Sequence, residues 1–111
     1  MNIMQMMKQA QNLQQKVKDV QKELEGMELV GESAGGAVSV TYDGQGRFKS
    51  IKLKPEAINP ENPSSVDIDT LEMLEDLITT ATKNAVEKAS KEADTRMKAI
   101  TGGINIPGLN F

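Results

Sequence analysis

Apolar residues return every seven positions along the start of this chain. Ile3, Ala10, Val17 and Leu24 form one series, and Met6, Leu13, Val20 and Met27 a second, three residues on. In a helix the two series merge into one seam over more than three heptads, the pattern of a helix packed along another helix. Gln, Lys, Asn and Glu fill the positions between, all suited to solvated faces. The seam over residues 2–25 is therefore read as core. Its methionines are gap-filling side chains rather than a metal-binding box.

Gly26 interrupts that period, and the pattern turns to strands. Residues 27–33 read as a first strand, Ala34-Gly35-Gly36 as a turn, and Val38, Val40 and Tyr42 alternate with Ser39 and Thr41 in a half-buried second strand. Asp43-Gly44-Gln45-Gly46 has hairpin chemistry. Residues 47–54 make a third strand with Ile51 and Leu53 on one face. Phe48 is out of phase with them, which points to a bulge and leaves the register open. Residues 55–65, with three of the four prolines, read as a loop. Asp67 or Asp69 then caps a second long helix running to about Ile100. Its stripe begins with Leu71, Leu74, Leu77 and Ile78 and continues as Ala81, Ala85, Ala89 and Ala93, small enough to let a neighbouring helix approach closely. The expected fold is α+β: a long N-terminal helix, a three-stranded antiparallel meander and a long C-terminal helix. Residues 1–111 read as one domain, with 101–111 as a flexible tail.

With 111 residues, 38% hydrophobic and only 3% aromatic, the chain is a candidate for sharing its core with a second copy. Val38, Val40, Leu74, Leu77 and Ile78 are the expected core and dimer residues. Neither Cys nor His occurs. That removes disulfides, zinc-thiolate sites, and the usual nucleophile and acid–base arrangements. No catalytic residue, metal site, cofactor or small-molecule substrate is assigned, and the chain is not read as an enzyme. No apolar run approaches the roughly 18 residues of a membrane span, and no signal-peptide core develops, so a cytoplasmic protein is expected.

The net charge of −3 hides a segregated distribution. Residues 1–18 carry Lys8, Lys16 and Lys18 and no acid, whereas 19–32 carry Asp19, Glu23, Glu25, Glu28 and Glu32 against Lys22 alone. Residues 55–76 hold seven acids and no base; from 83 to 98 Lys83, Lys88, Lys91, Arg96 and Lys98 outnumber Glu87, Glu92 and Asp94. Antiparallel packing of the helices would set the start of the first beside the end of the second. Two base-rich halves then form an arm with a basic tip and an acidic root. Lys and Arg among hydrogen-bonding Gln suit phosphate oxygens, so Lys8, Lys16, Lys18, Lys91, Arg96 and Lys98 are the candidate DNA contacts, with Lys49 and Lys52 as controls. The competing reading is a solvated face with i,i+4 pairs such as Glu87–Lys91 and Glu92–Arg96. Gly44-x-Gly46 lacks the setting of a phosphate cradle, Asp67-x-Asp69 lacks the rest of a calcium loop, and Tyr42, Phe48 and Phe111 are too dispersed to stack bases.

Several segments taken in order resemble the YbaB/EbfC family. They are Met7-Lys8-Gln9-Ala10, Gly31-Glu32-Ser33-Ala34-Gly35-Gly36, Val38 to Tyr42 with Asp43-Gly44-Gln45-Gly46, and Ile51-Lys52-Leu53-Lys54-Pro55. Met73-Leu74-Glu75-Asp76-Leu77-Ile78, Asn84, Thr101-Gly102-Gly103 and Pro107-Gly108 complete the set, which spans residues 4–109. The resemblance implies a tight homodimer with protruding helical arms. It further implies broad-specificity binding of double-stranded DNA by those arms, and a role in nucleoid organisation or gene expression. The alternative is a helical-armed dimeric protein–protein or chaperone-like module without DNA binding, favoured by the acidic stretch 55–76 and the Met-rich helix start.

Overall fold

The computed structural model describes residues 2–102. The elements run α1 (Ile3–Glu25), β1 (Leu29–Ser33), a short 3₁₀ turn (Ala34–Gly36), β2 (Val38–Tyr42), β3 (Phe48–Leu53), α2 (Pro55–Ile58) and α3 (Ile68–Thr101). The α+β order expected from the sequence is the one observed. The first strand begins at Leu29 rather than 27, and the proline-rich loop contains the one-turn α2, started by Pro55 at a position where its missing N–H costs nothing. Asn2 caps α1 by accepting from Gln5 N at 2.8 Å, and Asp67 caps α3 by accepting from Thr70 N at 2.7 Å. Gly102, in the left-handed conformation, closes α3. The flexible tail expected over 101–111 lies, beyond Gly102, outside the described residues.

The sheet is an antiparallel meander in the order β1-β2-β3. Between β2 and β3 the register slips at Thr41/Tyr42: Thr41 faces Ser50 while Tyr42 faces Phe48, leaving Lys49 as the extra residue. This bulge is why Phe48 is out of phase in the sequence. It brings Phe48 onto the same face as Ile51 and Leu53, where its ring meets Tyr42 edge-on at 5.9 Å.

α3 lies across that face, over β1 and β2. The core is Val38, Val40, Ala81 and Ala85, with Tyr42, Leu74, Leu77 and Ile78 packed around it. Ala81 and Ala85 thus serve a close approach, but their neighbour is a strand and not the helix expected; Ala89 and Ala93 lie further on, in a groove lined also by Leu24 of α1. A Cβ on Gly31 would meet the Ala81 carbonyl and the Ala85 backbone, so glycine is what lets β1 rest on α3. Ser33 Oγ donates to Leu77 O at 2.6 Å. At the outer edge of β1, Asn84 Nδ2 donates to Glu32 O at 3.1 Å and Lys88 Nζ to Val30 O at 2.7 Å.

α1 is held by its last turns. Leu24 is 1% exposed, and Gly44 in the hairpin sits so close that a Cβ there would come 2.7 Å from Leu24 Cδ2. Gly44 N donates to Leu24 O at 2.7 Å, and Gln45 Nε2 to Gln21 O at 2.8 Å. Asp43 accepts from Gln45 N and Arg47 N, which fixes the loop that grips α1. Beyond this grip α1 still touches α3 and buries Val17, and only its start, residues 3–12, is exposed throughout; the molecule extends 72 × 20 × 17 Å.

Candidate nucleic-acid interface

The two long helices run antiparallel where they touch, but not in the register expected. Arg96 of α3 bonds Glu23 of α1 at 2.7 Å. Thr101, five residues further, therefore reaches only about 8 Å beyond that level, near residue 18. The end of α3 stands beside the second half of α1, not its start. The physical reason is length: α3 spends its first half on the sheet, and only its last turns remain for α1. Of the heptad seam, Val17 and Leu24 are buried and Leu13, Val20 and Met27 half-buried, while Ile3, Met6 and Ala10 are exposed. Ile3 is 75% and Met4 78% exposed.

The first third of α1 is consequently a lone helix, open on all sides over residues 3–12. Lys8 stands on it, and Lys16 and Lys18 follow toward the junction with α3, about 12 and 15 Å along the axis from Lys8. Among the described residues none of these three, nor Lys91, has an ion-pair partner. The nearest acid in sequence, Asp19, accepts from Gln15 Nε2 at 3.0 Å.

The remaining candidates have partners. Arg96 bonds Glu92 at 2.9 Å as well as Glu23, and the hydrogen bond to Glu92, then the charges of Glu92 and Glu23, raise its pKa above the ordinary guanidinium value. Lys98 pairs with Asp94 at 3.0 Å. So the six candidates do not gather at one tip. Lys8 lies at the far end, Lys16, Lys18 and Lys98 near the end of α3, and Arg96 at the acidic root. Lys91 lines an open groove of about 810 Å³ between α3, the hairpin and the end of α1, whose apolar wall includes Leu24, Val86, Ala89 and Met97. The i,i+4 pair Glu92–Arg96 expected from spacing is present; the exposed pairs contribute little to stability.

Of the expected core and dimer residues, Val38 and Val40 are buried, and Leu74, Leu77 and Ile78 are half-covered on the rim of the core. Beside them α3 leaves β3 bare: Phe48 is 56%, Ile51 41% and Leu53 42% exposed, and Leu71 on α3 is likewise open. Sequence reasoning assigned no role to Lys54 or Arg47 and used Lys49 and Lys52 only as controls. The visible signal was four bases and no acid over residues 47–54. Among the described residues no acidic cluster gathers that could hold a metal ion, and no helix is long and apolar enough to cross a membrane.

A family model described as the YbaB/EbfC DNA-binding family matches residues 1–104. A nucleoid-associated protein of Clostridium acetobutylicum is 44% identical over 108 residues, covering 97% of this chain and 89% of the relative. One from Rhodospirillum rubrum is 40% identical over 106 residues, covering 96% and 92%. The fold is similar to the crystal structure of an uncharacterized protein from Helicobacter pylori, with a TM-score of 0.60 over 93% of this chain and 96% of that one, at 16% identity.

Proposed function

Since this chain belongs to the YbaB/EbfC family, a family of DNA-binding proteins and not of enzymes, we propose that it is a nucleoid-associated protein binding duplex DNA as a homodimer. The contact runs through the basic arm, with broad specificity. The observation that carries this reading is the first half of α1, where Lys8 stands on the lone start, Lys16 and Lys18 follow toward the junction with α3, and none of the three has an ion-pair partner among the described residues. A free helix of that kind can lie against a phosphate backbone, and lysine–phosphate contacts carry no sequence information, which favours breadth over sequence choice. Lys91 extends the surface. Arg96 and Lys98 join it by exchanging their carboxylate partners for phosphates.

The half-covered strip of Phe48, Ile51, Leu53, Leu71, Leu74 and Ile78 supports the dimer. One chain leaves it open, and a second copy laid against it completes the core. The nucleoid names of the relatives support a cytoplasmic, nucleoid-bound location. The apolar arm tip of Ile3, Met4, Met6 and Met7 favours the second reading, a protein–protein module.

Salt titration separates the two. Binding of unrelated duplexes should weaken along a log–log slope of about 0.9 per phosphate contact. Lys8→Gln, Lys16→Gln and Lys18→Gln together should flatten that slope by about 2.7 per arm engaged, on all sequences alike. Binding that ignores salt, or a variant with an unchanged slope, refutes the arm.

A further inference from the structure

The face of the sheet turned away from α3 is open, and its register gives it a definite chemistry. Val38 and Val40 point at α3, so their neighbours point away, and the cross-strand rows on that side are Val30–Thr41–Ser50 and Glu32–Ser39–Lys52. Ser50, Lys52 and Glu32 are exposed, and Ser39 and Thr41 half-buried. The face is a patch of small hydroxyls bordered on β3 by bases. The bulged Lys49 pairs with Glu28 at 3.6 Å, with side chains 34% and 68% exposed. A long, exposed pair of that kind contributes little and opens easily to a better acceptor. Lys54 follows Leu53 at the far end of β3, its ammonium near Gly36 beside the Glu32 carboxylate. With Arg47 before the strand and Lys54 after it, residues 47–54 carry four bases and no acid.

We propose that this outer face is a second phosphate-binding surface, which holds a second duplex segment while the arm holds the first. Hydroxyls with lysines around them are the donors that phosphate oxygens take; Lys52 is exposed, while Lys49 and Lys54 stand beside the exposed carboxylates of Glu28 and Glu32, which a phosphate would replace as their partners. The two basic surfaces are separated by the acid-rich stretch Asp19, Glu23, Glu25 and Glu28, of which only Glu23 and Glu28 are ion-paired among the described residues. One duplex running from arm to sheet would have to pass those carboxylates, which repel its phosphates. Two segments, one on each surface, avoid them. The apolar strip lies on the opposite side of the sheet, so a dimer formed there leaves the outer face free.

This inference rests on the reading that the protein binds duplex DNA, and one experiment distinguishes the two. A biotinylated duplex on beads is loaded with the full chain, and capture of a second, fluorescent duplex is followed from about 50 to about 200 mM salt. Wild-type protein should retain the second duplex. Lys49→Gln, Lys52→Gln and Lys54→Gln together should leave binding of a single duplex within about twofold while reducing second-duplex capture. A slope of about 0.9 per contact turns this fourfold salt step into about a 3.5-fold loss per lysine, so the triple variant should lack about fortyfold of the salt response, and Lys52→Gln alone about 3.5-fold. An unchanged thermal midpoint checks that the variants are folded. No second-duplex capture by wild-type protein overturns the proposal. So does undiminished capture by the triple variant, which would assign bridging to two arms, or an equal loss of single-duplex binding, which would make arm and sheet one site. Failure of the wild type to bind even the first duplex refutes DNA binding itself.

Discussion

Replacing Gly31 by alanine tests the seat of the sheet on α3. The added methyl would collide with the Ala81 carbonyl and the Ala85 nitrogen and lie 2.8 Å from Ala85 Cα. Carbon atoms rest at about 3.5–4.0 Å, so β1 and α3 must separate by about 1 Å. Both sides of the clash are backbone, so no rotamer can relieve it. Overpacking costs about 1–3 kcal/mol, and this geometry belongs at the upper end, about 3 kcal/mol. Lower entropy of the unfolded chain offsets at most about 1 kcal/mol of it. Separation would also stretch the Ser33–Leu77, Asn84–Glu32 and Lys88–Val30 hydrogen bonds, which restores the loss toward 3 kcal/mol. At about 4–8 °C per kcal/mol, Tm should fall by about 12 °C or more at fixed protein concentration. Gly35→Ala is the control: its φ of 64° is strained for alanine, but no atom lies within 4 Å, so it should cost only about 1–2 kcal/mol. Urea denaturation placing Gly31→Ala within about 1 kcal/mol of wild type, or above Gly35→Ala in stability, refutes the reasoning.

Sedimentation at micromolar concentration should give about twice the chain mass, and Ile51→Asp with Leu53→Asp should give folded monomer, because a carboxylate in an apolar contact costs several kcal/mol; a variant still dimeric removes the β3 strip as the interface. Acid should weaken the start of α3. The hydrogen bonds from Thr70 hold the Asp67 carboxyl below its ordinary value, so its contribution is complete above about pH 4 and is lost as pH falls through the lowered folded value. Asp67→Asn keeps a capping oxygen that does not titrate, so the stability gap between wild type and variant should close toward pH 2; a gap independent of pH counts against the cap.

How much of this was legible beforehand differs from element to element. Helix phase, strand alternation and the Asp67 cap depend on neighbours in sequence, and they were readable. The bulge was readable too, because Phe48 broke an otherwise regular alternation. Partners were not. The spacing of Ala81 and Ala85 announces a close neighbour without saying whether it is helix or strand, and only Gly31, fifty residues away, decides it. The heptads of α1 likewise define a face but not the length of what covers it. The helix register turned on the grip of Gly44 and Gln45 on the end of α1, and so did the dispersal of the basic candidates along the arm. The surface of β3 was legible as charge; its position opposite α3 depended on the pairing of Ser39 with Lys52.

The side chains of Asn84 and Lys88 give the sheet a one-way character. By occupying the outward carbonyls of Glu32 and Val30, they stopper one margin of the meander, while β3 at the other margin has no such plug among the described residues. Open strand margins on both sides would let protomers add without end, as fibres do. With one margin stoppered, a chain that joined another through β3 would have no second margin to offer, and association of that kind would stop at a pair.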